Sequence, residues 1–440
     1  MSAGTARTLY LSALFLLLIS NGISALISTL GLRGMAFYHV QAVVLLLCVT
    51  QLAVLTISGK VERRVDTNLF IAIVGSALYT LLSVVLLLRF PDVIPAYVVL
   101  LLHTLLFYPT TALLMLGCSR VDAANAGVQP QLPKWLPWAS ALVVLFGWLQ
   151  FALRDPILVV TNGENVSKLV ESNTLGTFRP PSLFESSFQY GLFSLLVCSL
   201  AMAYGLMGEK RWGAWALAGL GISGVLLSQT RNVFLCAGCT AFSLWLLVRA
   251  RQRAGNFGLL RIAPVGYVPA AISVMAYAVW QFLQSGLEKS GDLADASSTW
   301  ARVSSWQRAW ETLVRSGSFF DVVFGYGITQ AGHASDYRSL YPSRGDGLFI
   351  DSTFVNVFLL QGLLGLFFFL LIWWLLWRRL LRKTLETWSP LTVGVTAFVS
   401  AFLAAGVFNI LNGQWWGITL SLVLVVLTSK LKKVEISCAA

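Results

Sequence analysis

Apolar runs of about twenty residues, long enough to cross a bilayer as a helix, recur along most of this chain. They lie near 9–31, 37–57, 69–88, 93–117, 135–153, 183–207, 213–229, 232–248, 262–283, 353–377, 390–411 and 415–429. The seventh, eighth and twelfth runs are short. In lipid every backbone polar group must be satisfied within the segment, which selects helices for runs of this length. The pattern predicts an all-α polytopic membrane protein of about 12 transmembrane helices.

One long polar stretch interrupts this pattern, from about Gln284 to Ile350. Its first part, Ser285–Ser298, is rich in Gly, Ser and Asp. Next comes Trp300-Ala-Arg302-Val-Ser-Ser-Trp306-Gln-Arg308-Ala-Trp310, where i, i+4 spacing gathers Arg302, Trp306 and Trp310 near one helix face. Indoles favour the headgroup region, so this helix is expected at the membrane surface, with Arg302 facing lipid headgroups or a site. A Gly325-Tyr326-Gly327 turn follows. After it come His333, Asp336, Arg338, Tyr341 and Arg344 in an irregular stretch, where the Gly- and Ser-rich surroundings of His333 read as solvated. The chain divides accordingly into helices one to nine (1–283), an outer loop or lid containing short helices (284–352), and helices ten to twelve with a tail (353–440).

Composition fits this reading: 57% of the 440 residues are apolar and 11% charged, against about 25% charged in soluble domains. The first run is longer than a signal-peptide core and has no clear small-residue cleavage site after it, so it is read as a span. The six cysteines fall within spans or on the side assigned to the cytoplasm, which argues against a disulfide framework. Cys236-Ala-Gly-Cys239 has redox-motif spacing but lies in an apolar helix. His39, His103 and Gln51 read as packed or hydrogen-bonded residues.

The net charge of +12 has a topological explanation. With the N-terminus inside and the sides alternating, the inner loops collect Lys60, Arg63 and Arg64, then Lys210 and Arg211, then Arg249, Arg251 and Arg253, then Arg378, Arg379, Arg382 and Lys383. This is the positive-inside pattern, and an even span count puts both termini in the cytoplasm. Nucleic acid is not an expected partner.

Against that bias, a few charged residues fall at outer turns. Arg179 precedes Pro180-Pro181, which cannot continue a preceding helix but suit a helix start. It reads as an interfacial anchor or a functional cation, and Glu185, in the expected first turn of the sixth span, as a cap or a ligand. Arg231 stands in the tight turn Ser228-Gln-Thr-Arg231 between the seventh and eighth spans. A cation near hydrocarbon is costly and is explained by snorkelling or by an anionic partner. Asp351 and Ser352 are both good N-cap residues for the tenth span, and Asp351 is also placed to act as a base. That span continues into Gln361-Gly362-Leu-Leu-Gly365, whose small residues permit close approach. No metal-ligand cluster, HExxH, DxD, Walker loop or suitably placed GxGxxG occurs.

Phe178-Arg179-Pro-Pro-Ser-Leu-Phe184, then Ser228-Gln-Thr-Arg231, then Arg302…Trp306 leading to Phe324-Gly-Tyr-Gly327, then Ile350-Asp351-Ser-Thr-Phe354…Gly362-Leu-Leu-Gly365 occur in this order. Over roughly 177–370 the chain resembles the bacterial O-antigen ligase and polymerase superfamily, the Wzy-type membrane glycosyltransferases of the GT-C group. The resemblance implies a transferase in the bacterial inner membrane, with its active site facing the periplasm and its long loop periplasmic. The donor would be an undecaprenyl-diphosphate-linked glycan. The acceptor would be a second lipid-linked glycan for a polymerase, or lipid A–core for a ligase. Ligases carry a histidine at the position of Asp351, and this departure favours a polymerase. No cofactor or metal is implied, because the donor sugar is already activated. Arg179 and Arg231 would stabilise the leaving diphosphate and Asp351 would take the proton of the attacking hydroxyl, with inversion. Arg302, Glu185, Trp306, Tyr326 and Arg344 are the substrate-binding candidates, and membrane lipids and a chain-length regulator are further candidate partners. A competing class is a twelve-span transporter or flippase of lipid-linked glycan. Such proteins often join two similar halves through a sizeable inner connection after the sixth span; here that loop, Gly208–Gly213, is very short and no internal repeat is visible.

Overall fold

The computed structural model describes residues 134–162, 165–168, 178–184, 186–207, 211–252, 318–325, 352–408 and 413–428, with scattered positions between 12 and 57. The elements are helix α1 (Leu136–Leu153), strands β1 (Val159–Asn162) and β2 (Asn165–Lys168), and helices α2 (Ser187–Met207), α3 (Arg211–Ser228), α4 (Arg231–Gln252), α5 (Phe319–Phe324), α6 (Thr353–Thr387), α7 (Pro390–Phe408) and α8 (Gly413–Thr428). Four segments are long and apolar enough to cross a membrane: Leu136–Leu153, Ser187–Met207, Asn232–Arg249 and Gln361–Thr387. Trp212–Ser228, Pro390–Leu403 and Ile418–Leu427 are shorter apolar helices. These helices mark the chain as a membrane protein, and they coincide with the fifth to eighth and tenth to twelfth apolar runs. Apart from those scattered positions, the first four spans lie outside the described residues, as do the ninth and the Trp300–Trp310 helix.

One departure from an all-α fold appears. Val159–Asn162 pairs antiparallel with Asn165–Lys168, Val159 opposite Lys168 and Asn162 opposite Asn165. The run Val159-Val160-Thr161 is β-branched, and Asn162-Gly163 is the dipeptide that tight hairpin turns prefer.

Helix α2 is the most enclosed of the membrane-length helices and packs against α1, α3, α4 and α7. Small residues bring its neighbours close, as is usual where lipid offers no hydrophobic drive between helices. The space a side chain would take at Gly147 of α1 is filled by the Tyr190 ring, whose hydroxyl donates to the Val144 carbonyl at 3.0 Å. A Cβ at Gly221 of α3 would lie 2.9 Å from Cys198 and from the Ser194 carbonyl. On α7, the Gly394 carbonyl accepts from Ser199 Oγ at 2.7 Å. Cys198, Cys236 and Cys239 are buried and are not joined in disulfides.

These contacts fix which helix ends lie together. At one end the close of α4 meets the α6–α7 joint, with the Arg251 guanidinium 5.6 Å from the Trp388 ring. Trp377 Nε1 donates to Ser400 Oγ, and the hydroxyls of Thr384 and Thr396 share a 2.7 Å bond, so α6 and α7 run antiparallel from that joint. Gly205 against Trp215 brings the close of α2 and the start of α3 to the same end. At the other end lie the close of α1, the start of α2, the α3–α4 turn and the start of α8. Helix α6 runs to Thr387, past the expected end of its span, because Leu, Arg and Lys are good helix formers and the chain need not uncoil on leaving lipid.

Candidate active site

The segment Phe178–Phe184 is non-helical and is fastened to the bundle by one side chain of α1. Gln150 is fully buried in an otherwise apolar span. Its Oε1 accepts from the Ser182 amide at 2.6 Å, and its Nε2 donates to the Ser182 carbonyl at 3.1 Å and to the Pro156 carbonyl at 2.6 Å. The amide thus satisfies both backbone groups of Ser182, as a neighbouring strand would. Ser182 Oγ donates to the Val143 carbonyl at 2.7 Å. Ser182 has φ +55°, in the left-handed region, which turns the chain before α2. A helix start was expected at about Leu183; α2 begins instead at Ser187, because Ser182 is committed to this turn. Beyond it, Phe184 is buried against Phe193, with ring centroids 5.2 Å apart, and against Trp415 of α8 at 6.3 Å.

Arg179 sits in this fastened segment, half-buried. Its Nε is buried and has no hydrogen-bond partner among the described residues. A buried N–H donor left unmatched costs about 1–3 kcal/mol, which an acceptor supplied from outside would recover.

The α3–α4 joint is as tight as expected, only Gln229 and Thr230 lying between the helices. Gln229 takes φ +46°, and Thr230 Oγ1 donates to the Ser228 carbonyl at 2.9 Å. The Thr230 carbonyl accepts from the amides of Val233 and Phe234 and so opens α4. Arg231 is therefore the first residue of α4, where the helix dipole disfavours a cation. Its side chain lies outside the described residues. This joint packs directly on the start of α2: a Cβ at Gly191 would lie 2.8 Å from Ser228 Oγ and from Val233 Cγ2. The segments carrying Arg179 and Arg231 thus flank the first turns of one helix, at one end of the bundle.

The third component is α6. Ser352 is its N-cap, its side chain accepting from the Val355 amide. The capping role that Asp351 and Ser352 could each have filled thus falls to Ser352. Asp351 itself lies outside the described residues, as do Glu185, Arg302, Trp306, Tyr326 and Arg344. Helix α6 is broken at Gly362, where φ +63° and ψ −163° fall in a region essentially restricted to glycine. Helix α5 presses on this break, with Val323 O occupying the position a Gly362 Cβ would need. The close approach expected at Gln361–Gly365 is real at Gly362, and its partner is the backbone of a short helix from the long polar loop. A Ser318–Asp321 capping box starts α5, Ser318 N donating to Asp321 Oδ2 at 2.9 Å, and Gly325, φ +77°, ends it.

Gln150, Ser182 and Gly362 carry no chemistry but set the backbone on which the candidate residues stand. A lone amide in an apolar span signals the first, since buried polar groups must find partners. Among the described residues no group of His, Cys, Asp or Glu is arranged to hold a metal ion. No protein-family model matches the chain, and no curated protein matches it.

Proposed function

We propose that this chain is a bacterial inner-membrane glycosyltransferase of about 12 spans that extends a surface glycan on the periplasmic face, using an undecaprenyl-diphosphate-linked glycan as donor. Both termini are cytoplasmic and the loop 284–352 is periplasmic in this reading. The observation that carries it is the pairing of two arginine-bearing turns against the first turns of α2, at the end opposite the basic helix ends. One of those arginines has a buried Nε without a partner among the described residues, and the other opens a helix where a cation is out of place. Both features suit an anion delivered between them.

In the reaction a sugar hydroxyl of the acceptor attacks the anomeric carbon of the donor. The new glycosidic C–O bond forms as the bond to the diphosphate oxygen breaks, with inversion. The electron pair leaves on the diphosphate, where Arg179 and Arg231 stabilise the charge through charge-assisted hydrogen bonds. Asp351 takes the hydroxyl proton. Arg302, Glu185, Trp306, Tyr326 and Arg344 hold the glycan under the loop. Polymerisation is preferred to ligation because an aspartate stands where ligases carry histidine.

The test is turnover by purified protein in liposomes supplied with a lipid-linked repeat unit. The wild type lengthens the glycan, and Arg179→Ala, Arg231→Ala and Asp351→Ala each lose about a hundredfold in rate. Normal elongation by Arg231→Ala and Asp351→Ala proteins that are equally well folded would overturn the assignment. Movement of the substrate across the bilayer without lengthening would indicate a carrier, and transfer only to lipid A–core a ligase.

A further inference from the structure

The basic end of the bundle carries a second feature that the proposed chemistry does not use. Helix α4 closes with Arg249 and Arg251, each placed over an indole: Arg249 lies 5.9 Å from the Trp245 centroid and Arg251 lies 5.6 Å from the Trp388 centroid. Trp388 is the left-handed C-cap of α6, so its ring stands at the joint where α6 turns into α7. Stacking occupies the face of a guanidinium and leaves its N–H edge donors unused. Among the described residues neither arginine has a hydrogen-bond or ion-pair partner. Two turns of α6 next to this joint add Arg378, Arg379, Arg382 and Lys383, against one acid, Glu386. Trp138 at the start of α1, Trp212 at the start of α3 and Trp245 near the close of α4 are all exposed at this same end, which marks it as a membrane–water boundary.

We propose that the ends of α4 and α6 form a seat for an anionic phospholipid, with its phosphodiester taken by Arg251 and its glycerol region lying against Trp388. The charge is complementary, and basic sites between helix ends at a membrane boundary suit such headgroups. Arg249, two residues earlier, lies over Trp245 on the other side of α4 and is not part of this seat. This inference needs only that the chain resides in a membrane; it is independent of the transferase reading.

The experiment is thermal unfolding of the full chain in neutral detergent, titrated with dioleoyl-phosphatidylglycerol, with dioleoyl-phosphatidylcholine, or with inorganic phosphate. Phosphatidylglycerol raises the unfolding temperature with a saturable midpoint, and the other two do not. Arg251→Gln moves that midpoint about fivefold higher, the effect of one basic residue near an anionic surface, whereas the exposed Arg249→Gln on the other side of α4 leaves it in place, and an equal shift there would overturn the seat. Lys134→Gln, the same charge change before α1, which packs on α2 and α3, leaves it in place. The midpoint is read within each variant, so a variant of lower basal stability still reports. An equal response to phosphatidylcholine or to phosphate would overturn the seat. So would an equal shift in Lys134→Gln, which would reduce the effect to diffuse surface charge.

Discussion

The two ends of this bundle carry arginine in opposite ways. At the basic end Arg249 and Arg251 lie in the last turn of α4, where the helix dipole favours a cation, and Trp245 and Trp388 stack on them, while Arg378, Arg379 and Arg382 lie further back along α6. At the other end Arg231 opens a helix, and Arg179 sits in a segment fastened by a buried amide, with its Nε unmatched among the described residues. The first arrangement stabilises helices and meets a membrane surface. The second costs stability, through an unfavourable helix-dipole position and a buried donor left unmatched. The comparison separates cations whose place the fold explains from cations whose place it does not.

Substitutions should respect that difference. The largest effect is expected for Gln150→Leu, which strands the Ser182 amide and carbonyl in an apolar interior; we expect a loss of about 3 kcal/mol, read by denaturant titration in mixed micelles. Gly362→Ala forces a Cβ into the Val323 carbonyl and a glycine-only backbone, at a cost of about 2 kcal/mol by the same titration, and releases α5 from α6. Loss of the α5–α6 contact would appear as failure of a Val323→Cys/Leu363→Cys pair to cross-link in the Gly362→Ala background. Ser352→Ala removes the α6 cap for about 1 kcal/mol. At the basic end, Arg382→Gln should change stability by less than about 0.5 kcal/mol, because it is exposed and away from the packed interior. A large loss from Arg382→Gln, or none from Gln150→Leu, would erase the distinction between the ends.

Much of this architecture was legible from run length alone. Seven apolar runs became helices, close to their expected bounds except for α6, which continues past its run to Thr387, because length and composition favour a helix for such runs. The hairpin at 159–168 carries a local signal, Asn162-Gly163 after a β-branched run. The grip of Gln150 on Ser182 was not legible, since it joins residues thirty-two apart through tertiary packing. Tight turning at Ser228–Arg231 could be read from the absence of spare residues, whereas its seat on Gly191 could not. Either Asp351 or Ser352 suited the N-cap on type alone; helix register decided for Ser352. Gln361–Gly365 revealed a close approach without revealing what approaches.

The central claim is that Arg179 and Arg231 act on one diphosphate. A double-mutant cycle on binding of undecaprenyl diphosphate to the purified protein tests it most directly. Arg179→Ala and Arg231→Ala should each weaken binding by 1.5–3 kcal/mol, about tenfold to a hundredfold, with a coupling of about 1 kcal/mol or more between them. Unchanged binding in both single variants, or losses that add within about 0.5 kcal/mol as independent sites do, would contradict it.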